Sequence, residues 1–293
     1  MFTSGAALAD ALEAADQPQS PDVAPGALAI AMVEYPRLDA RVWLDRLEAV
    51  GEQALALVAR EAGVEGPLHA RVDAVNLCLF GDLGFRGNRD AYRDIRNSCL
   101  NQVIERRTGI PITLSVVYMD VARRAGLRVE GVNFPGHFLV RVRDAAHPDA
   151  GPGLLVDPFH EGAILTEQDC RELLARHAES VSFSPALLAR ATRRQMFERM
   201  LVNLKRLYVQ HRSFPHAKIV TDALLALSPG SLAELRDRGL LAYHLHQYSR
   251  ALRDLEEYLR LLTLTDTGDE TREDTDQVWN HVKSLRRRVA ALN

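Results

Sequence analysis

Cysteine is scarce in this sequence. The 293 residues include three cysteines, Cys78, Cys99 and Cys170, which are widely separated and form no CxxC pair. An odd number of scattered cysteines suits a reducing compartment, where thiols pack mainly as small apolar groups. The cysteine pattern therefore argues against an oxidising, disulfide-forming environment.

Long apolar runs and an excess of positive charge are absent as well. No stretch reaches the roughly 18 uninterrupted apolar residues of a membrane-spanning helix, and no cationic segment leads into an apolar core near the N-terminus. The formal net charge of −3 argues against non-specific binding to nucleic acid or to an anionic membrane. By exclusion, we expect a cytoplasmic protein with no nucleic-acid or membrane partner.

Several common catalytic signatures are also missing. The sequence has no Walker loop, no G-x-S-x-G elbow, no H-E-x-x-H helix and no G-x-G-x-x-G turn. Nucleotide and dinucleotide binding are therefore unsupported, and we predict no cofactor.

Apolar spacing divides the chain into three parts. Residues 1–37 are expected to be a flexible or loosely packed lead-in. Residues 38–182 combine helices with extended runs, which is typical of an α+β domain and not of a doubly wound sheet. The predicted helices span 39–61, 68–80, 98–107 and 111–124, and the extended runs span 127–133, 138–142 and 154–157.

The third part, residues 183–293, has a helical pattern throughout and contains an internal repeat. Its two copies, at a shift of 34 residues, are Ser213-Phe214-Pro215-His216-Ala217 and Gln247-Tyr248-Ser249-Arg250-Ala251. This shift is the tetratricopeptide period, and it places Gly239 at the small position of a first helix. Two repeats are too few to bury a solenoid core. We therefore expect segment 183–204 to pack on the preceding domain and hold the array rigidly, with a capping helix over 277–292.

Two residues of the α+β part are candidates for chemistry. His137 precedes one predicted strand and Asp157 ends the next. In a hairpin that pairs Arg143 with Gly153, Asp157 lies opposite Leu139 and on the same face as His137. A histidine oriented by aspartate provides two members of an acyl-transfer triad, because the carboxylate fixes the tautomer and stabilises imidazolium. We predict a His137–Asp157 hydrogen bond of about 2.6–3.2 Å and name both residues as candidate catalytic residues.

At these residues the chain resembles a known family. The order of helix, histidine-bearing strand and aspartate-bearing strand is similar to the transglutaminase-like branch of the papain fold. With the helical repeats behind it, the chain resembles the bacterial SirB-type family of transglutaminase-like proteins, from about Phe85 to Tyr258. The motifs that carry the resemblance are Ser98-Cys99-Leu100, Glu105-Arg106-Arg107, Gly109-Ile110-Pro111-Ile112, Asn133-Phe134-Pro135-Gly136-His137-Phe138, Asp157-Pro158-Phe159 and Arg236-Asp237-Arg238-Gly239-Leu240. The resemblance implies a papain/transglutaminase-like domain followed by an all-α tetratricopeptide-type array.

The resemblance provides no nucleophile. In active transglutaminase-like enzymes a cysteine opens the central helix, and counting back from Gly126 puts Pro111 at that position. A helix N-terminus and a nearby imidazolium would stabilise a thiolate there, but proline has no nucleophilic atom. Thr113 and Ser115 lie further along the helix, and we interpret both hydroxyls as local backbone partners. Cys99 lies a whole helix upstream and is interpreted as helix packing.

A metal site is an alternative use of the same residues. His137, Asp157, His160 and Glu161 are all metal-ligand types. No second ligand cluster supports a metal, however, and Asp-Pro is common in turns. A third interpretation is a hydrogen-bonded pair that stabilises a turn inherited from an enzyme ancestor. On this balance the sequence predicts no metal.

Two functions from different classes follow. The favoured hypothesis is a non-catalytic scaffold, whose cleft holds a peptide or small ligand and whose repeats hold a helix or tail of a protein partner. The alternative is a peptidase- or amidase-like hydrolase or acyltransferase, in which His137 and Asp157 activate a water or hydroxyl nucleophile. The sequence leaves the oligomeric state open.

Overall fold

The computed structural model describes residues 4–17, 22–147, 151–178, 180–264 and 272–290. By its internal contacts the chain divides into two units, Ala11–Met200 and Met1–Asp10 together with Leu201–Asn293. The first unit combines helices with an antiparallel sheet, and the described part of the second is helical. These observations confirm the predicted fold class.

Helices and strands follow one another in chain order. The helices before the sheet are α1 (Gly5–Ala15), α2 (Ala24–Ala31), α3 (Ala40–Glu61), α4 (Leu68–Asn76), α5 (Leu100–Arg106) and α6 (Pro111–Arg124). The strands are β1 (Arg86–Gly87), β2 (Thr108–Gly109), β3 (Leu127–Val132), β4 (Leu139–Asp144), β5 (Leu154–Asp157) and β6 (Ala163–Leu165). The later helices are α7 (Glu167–His177), α8 (Arg193–Gln210), α9 (Phe214–Leu227), α10 (Leu232–His244), α11 (Tyr248–Leu262) and α12 (Arg272–Ala290). Within the described residues, none of these helices combines the length and apolar character needed to cross a membrane.

Helix α6 begins at Pro111. An N–H at the first position of a helix has no acceptor within the helix, so the N–H that proline lacks costs no hydrogen bond there. The Thr113 hydroxyl accepts a hydrogen bond from the Ile110 N–H at 3.1 Å and donates to the Asn97 carbonyl at 2.7 Å. Beyond the helix the chain turns at Gly126, whose φ of +84° favours glycine. The helix predicted over 111–124 is therefore confirmed with its start and stop signals.

Strands β3 to β6 form a four-stranded antiparallel sheet in chain order. Val140 pairs with Val156 and Val142 pairs with Leu154. This is the register predicted from the sequence, in which position 157 lies opposite position 139. Val140, Val142 and Val156 are all 0% exposed, so the alternation of the strands buries this face of the hairpin. Strand β6, a three-residue edge strand, was not predicted.

The predicted flexible or loosely packed lead-in over 1–37 is wrong for the described residues of that range. Residues 5–15 and 24–31 form α1 and α2, in which Leu8 and Leu28 are 0% exposed. The ring of Phe197 lies so close to Gly26 that a side chain there would not fit. Helix α2 is short and apolar on all sides, so it lacks the amphipathic period that identifies a surface helix. Residues 1–3 and 18–21 of the predicted lead-in lie outside the described residues.

The division between the two units falls after Met200, not at the predicted boundary after residue 182. The Ala191 N–H donates to the Gly131 carbonyl at 2.8 Å, beside the sheet. Phe183 packs on the apolar cluster that lies between β3, β4 and α7. Segment 183–204 was predicted to pack on the α+β domain. Its residues up to Met200 do so, because main-chain and apolar contacts join them to the sheet.

The second unit shows the predicted 34-residue period in its backbone. Helix α9 begins at Phe214 and α11 at Tyr248, 34 residues later. The turn before each helix contains a residue in the left-handed region, Arg212 with φ of 55° and His246 with φ of 58°. Because these two positions are also one period apart, the repeat extends to the conformation of the inter-helix turn.

Small residues allow the helices of the repeat unit to approach closely. Ala217 and Ala251 are 0% exposed, and Gly239 in α10 lies against Leu255 in α11. Helix α12 adds Val278, Val282 and Leu285 to the apolar cluster of α11. The predicted capping helix is confirmed within the described residues, while residues 291 and 292 of its predicted span lie outside them.

Candidate functional site

A tight turn places His137 just before β4. Pro135 and Gly136 occupy the central positions of the turn, and the His137 N–H donates to the Phe134 carbonyl at 3.0 Å. Gly136 has φ of +71°, which a Pro-Gly sequence favours at the third position of a turn. A Cβ on Gly136 would lie 2.5 Å from the Cβ of His177, so packing also requires glycine here. The Pro-Gly-His sequence thus determines where the imidazole lies.

Asp157 ends β5 and caps the short 3₁₀ segment that follows it. Its Oδ1 accepts hydrogen bonds from the N–H groups of Phe159 at 3.0 Å and His160 at 3.3 Å. Its Oδ2 accepts from two imidazoles, His137 Nε2 at 2.9 Å and His160 Nδ1 at 2.7 Å. Both oxygens of this buried carboxylate therefore have partners, as a buried charge requires.

The contact predicted from the strand register, His137 with Asp157, is confirmed at 2.9 Å. Burial raises the pKa of the Asp157 carboxyl, but hydrogen bonds and charges from His137 and His160 outweigh it and hold the pKa well below its usual range. The carboxylate stays ionised and orients the Nε2–H of His137. The pair has the geometry of a triad remnant, and its catalytic role stays a prediction.

A cavity of about 460 Å³ lies beside the pair. The rings of His160 and His177 stack on His137, with centroids 5.7 and 5.9 Å from it. Burial lowers the pKa of His177, and the positive charges of neighbouring groups lower it further. The lining residues are Arg89, Tyr92, Pro111, Gly136, His137, Phe159, His160 and His177. Such a wall of aromatic, imidazole and guanidinium groups suits a ligand with an aromatic or anionic group.

Pro111 lines this cavity together with His137. The resemblance to active transglutaminase-like enzymes predicts a cysteine at this position. None of the described lining residues is a cysteine, serine or threonine. The Thr113 hydroxyl bonds to backbone groups, as predicted. Ser115 is 0% exposed, and its Oγ has no hydrogen-bond partner among the described residues, so its predicted role as a backbone partner is wrong. Neither hydroxyl lines the cavity.

The three cysteines are buried free thiols. Burial raises the pKa of the Cys99 thiol and that of Cys78, and it raises the pKa of Cys170 to about 11. A raised pKa keeps a thiol protonated and poorly nucleophilic. Their burial supports the interpretation of these residues as packing groups.

Three of the four candidate metal-ligand residues from the sequence analysis lie close together in the structure. One ligand atom from each of His137, Asp157 and His160 lies within 4.8 Å of the others. Glu161 adopts a left-handed φ of 56° and does not join this group in the described structure. Two imidazoles and one carboxylate are ligand types that transition metals accept, and the absence of a metal predicted from the sequence stays a prediction.

Sequence reasoning missed three lining residues, Arg89, Tyr92 and His177. His177 ends α7, and no motif marks it. The glycine at position 136 indicates a turn, but nothing in the local sequence says which helix packs on that turn. Arg89 and Tyr92 follow the glycine-marked segment 81–88. The only sequence signal for them was that this segment forms a loop, and loops often carry functional residues.

A helix tip that lines one cavity with a histidine just before an antiparallel strand, with an aspartate at the end of the next strand, is the arrangement expected of a transglutaminase-like domain. The family model described as the transglutaminase-like superfamily matches residues 42–202, and a tetratricopeptide repeat model matches residues 204–279. Because the first match covers more than half of the chain, the chain belongs to the transglutaminase-like superfamily.

Curated relatives show how far the likeness extends. The UPF0162 protein of Xylella fastidiosa strain Temecula1 is 40% identical over 84% of this chain and 86% of its own length. The F-box only protein 21 of Homo sapiens is 33% identical over 66% of this chain, but over 31% of that protein. A crystal structure of menin is similar with a TM-score of 0.45 and 10% identity over 97% of this chain and 70% of that chain, which is too weak to assign anything. The bacterial likeness includes both units.

Proposed function

We propose that this chain is a non-catalytic binding protein of the SirB type, in which a transglutaminase-like pocket and a repeat unit each hold a ligand. The pocket would hold a peptide side chain or chain end, and the repeats would hold a segment of a protein partner. A cytoplasmic location is part of the proposal and fits the three free thiols.

One observation carries the proposal: Pro111 lies at the tip of α6 in the His137 cavity. An acyl-transfer enzyme of this fold needs a nucleophilic atom at that tip, where the helix dipole and an imidazolium would activate it. A pyrrolidine ring supplies only apolar surface. The cavity therefore keeps the shape and imidazoles of an active site and presents them to a bound ligand.

The repeat unit has a cavity of its own, of about 710 Å³. Lys218, Arg238 and Arg250 are among its lining residues. Lys218 pairs with Asp222 at 2.6 Å and Arg238 pairs with Asp254 at 2.8 Å. No carboxylate of the described residues forms an ion pair with Arg250, so this side chain is available to an acidic partner segment.

A peptide-display selection on the full chain tests the proposal. Selected peptides should bind wild type and be recovered intact by mass spectrometry after long incubation. His177→Ala removes an imidazole contact and should weaken pocket ligands, and Arg250→Glu removes a charge-assisted contact and should weaken acidic ligands of the repeats, by about tenfold each. Cleaved peptides, or binding that neither variant changes, would count against the proposal.

A second candidate function is a hydrolase with water as the nucleophile. The observation that favours it is the buried His137–Asp157 pair at 2.9 Å, which could serve as a general base. In that case amide or ester turnover by wild type should disappear in His137→Ala. The binding proposal expects no such difference.

A further inference from the structure

The carboxylate of Asp157 is shared by two imidazoles that come from different places in the chain. His137 Nε2 lies 2.9 Å and His160 Nδ1 lies 2.7 Å from the same Oδ2. If Asp157 served only to orient His137, one imidazole hydrogen-bonded to this oxygen would be enough. The second imidazole makes the group a set of three donor atoms, all within 4.8 Å of one another.

We propose that His137, Asp157 and His160 form a binding site for a divalent first-row transition metal, with Zn²⁺ as the preferred ion. Two imidazole nitrogens and one carboxylate oxygen are a donor set that zinc and its neighbours accept, whereas Mg²⁺ and Ca²⁺ favour all-oxygen sites. The general order of affinity rises from Mn²⁺ to Cu²⁺ and falls again at Zn²⁺, so the preference for Zn²⁺ is argued from ligand type and geometry: imidazole and carboxylate are its usual ligands in four-coordinate sites.

The two donor separations from Asp157 Oδ2 are close to those of such a site, and the two imidazole nitrogens lie within 4.8 Å of each other. At metal–ligand distances of about 2.0–2.1 Å, neighbouring donors of a tetrahedral site lie about 3.3–3.4 Å apart. The two observed separations of 2.9 and 2.7 Å are shorter by roughly half an ångström, which side-chain rotation can supply. His160 is 36% exposed in its side chain, so the ring has room to move.

The second oxygen of the carboxylate is already held in place. Asp157 Oδ1 accepts from the N–H groups of Phe159 and His160, which leaves Oδ2 as a single oriented donor. Partners of this kind orient metal ligands in known sites, and their loss weakens metal binding about 10- to 100-fold. His137 and His160 also line the 460 Å³ cavity, so an ion would be reachable from it and would keep a position open on that side.

Metal binding does not depend on the proposed peptide binding, because its ligands all belong to the chain itself. The two are tested separately: metal affinity is measured without peptide, and peptide selection is done after chelator treatment. If metal binding is not observed, the test of peptide binding is unaffected, and the reverse also holds.

The test is titration of the full chain, stripped with chelator and free of any affinity tag, with Co²⁺ by visible absorption and with Zn²⁺ by calorimetry. Wild type should bind one equivalent of each ion, with Zn²⁺ tighter, and Mg²⁺ should not compete. His160→Ala should weaken Zn²⁺ about 100-fold or more, since a ligand should matter at least as much as its supporting partner. Asp157→Asn keeps the shape of the side chain and should weaken it similarly.

His69→Ala is the matched control, because His69 is an exposed histidine of α4 in the same unit. It should bind Zn²⁺ like wild type, and thermal melts should show that all variants fold. Absence of one-to-one binding by folded wild type would overturn the proposal. Equal affinity in wild type and folded His160→Ala would overturn it as well.

Discussion

Pro111 and His137 line the same cavity, one from the first turn of α6 and the other from the start of β4. The two residues are 26 positions apart in the sequence, and a helix and a strand are needed to bring them together. By the resemblance to active transglutaminase-like enzymes, we interpret them as the nucleophile position and the imidazole of an acyl-transfer site, with proline in place of the reactive atom.

A thiol introduced at this position should be a reactive nucleophile. In Pro111→Cys, the helix N-terminus and the His137 imidazole should lower the thiol pKa, which raises the thiolate fraction about tenfold or more near neutral pH. We expect alkylation by iodoacetamide to be faster than for any native cysteine, since those three are buried. Mass spectrometry of the labelled peptide measures the rate.

The double variant Pro111→Cys/His137→Ala is the control for this effect. It should react roughly ten times more slowly than Pro111→Cys, because only the helix dipole remains to stabilise the thiolate. Equal rates in the two folded variants would show that the helix tip and the imidazole do not form one site.

Gly136 should tolerate no side chain, for two separate reasons. Its φ is +71°, and a Cβ there would lie 2.5 Å from the Cβ of His177. A left-handed conformation costs a non-glycine residue about 1–2 kcal/mol, and overpacking costs about 1–3 kcal/mol more. Urea unfolding of Gly136→Ala should therefore show a loss of roughly 3 kcal/mol.

Gly126→Ala separates these two contributions. Gly126 has φ of +84°, and a Cβ on it would meet nothing within 4 Å. This variant should lose about 1–2 kcal/mol, the backbone contribution alone. A loss as large as that of Gly136→Ala would mean that the approach of α7 to the turn is not what requires glycine at 136.

The close packing of α10 on α11 predicts a second sensitive glycine. A Cβ on Gly239 would lie 2.6 Å from Leu255 Cδ2, so Gly239→Val should destabilise the repeat unit by about 1–3 kcal/mol. Hydrogen exchange of α10 and α11 should speed up in this variant. Gly230→Ala, where a Cβ meets nothing within 4 Å, should leave exchange unchanged. If hydrogen exchange of α10 and α11 were as slow in Gly239→Val as in wild type, that result would contradict the close packing of these two helices.

Replacing Cys78, Cys99 and Cys170 together by alanine should leave ligand binding unchanged. The expected loss of stability is roughly 1 kcal/mol or more for each buried site, because each substitution removes packed atoms. Calorimetric binding and thermal unfolding measure the two effects. If Cys99→Ala alone abolished a measurable activity in a folded protein, the role assigned to this residue would be wrong.

The parts of the fold that follow local rules could be predicted from the sequence. Pro111 and Gly126 mark the two ends of α6, and alternating residues with a short hairpin set the β4–β5 register. That register was enough to bring His137 and Asp157 together. The 34-residue repeat was recognisable because matching turns and small residues recur at one period.

The parts that depend on long-range packing could not be predicted. Helix α2 contains proline and glycine and has no polar face, so neither propensity nor period identifies it before its partners are known. His177 reaches the cavity because α7 packs on the turn at Gly136, a contact between distant segments. His160 was recognised as a ligand type, but the short 3₁₀ segment capped by Asp157, which brings its ring to the same oxygen as His137, was not predicted.

The central claim, binding without catalysis, is tested most directly by one kinetic comparison. Full-length wild type and His137→Ala are assayed side by side against panels of amide and ester substrates, with both shown to be folded. If His137 acted as a general base, its removal would lower kcat/KM about 100- to 10 000-fold. Our account predicts that wild type shows no turnover above the His137→Ala level. Turnover by wild type that His137→Ala loses would contradict it.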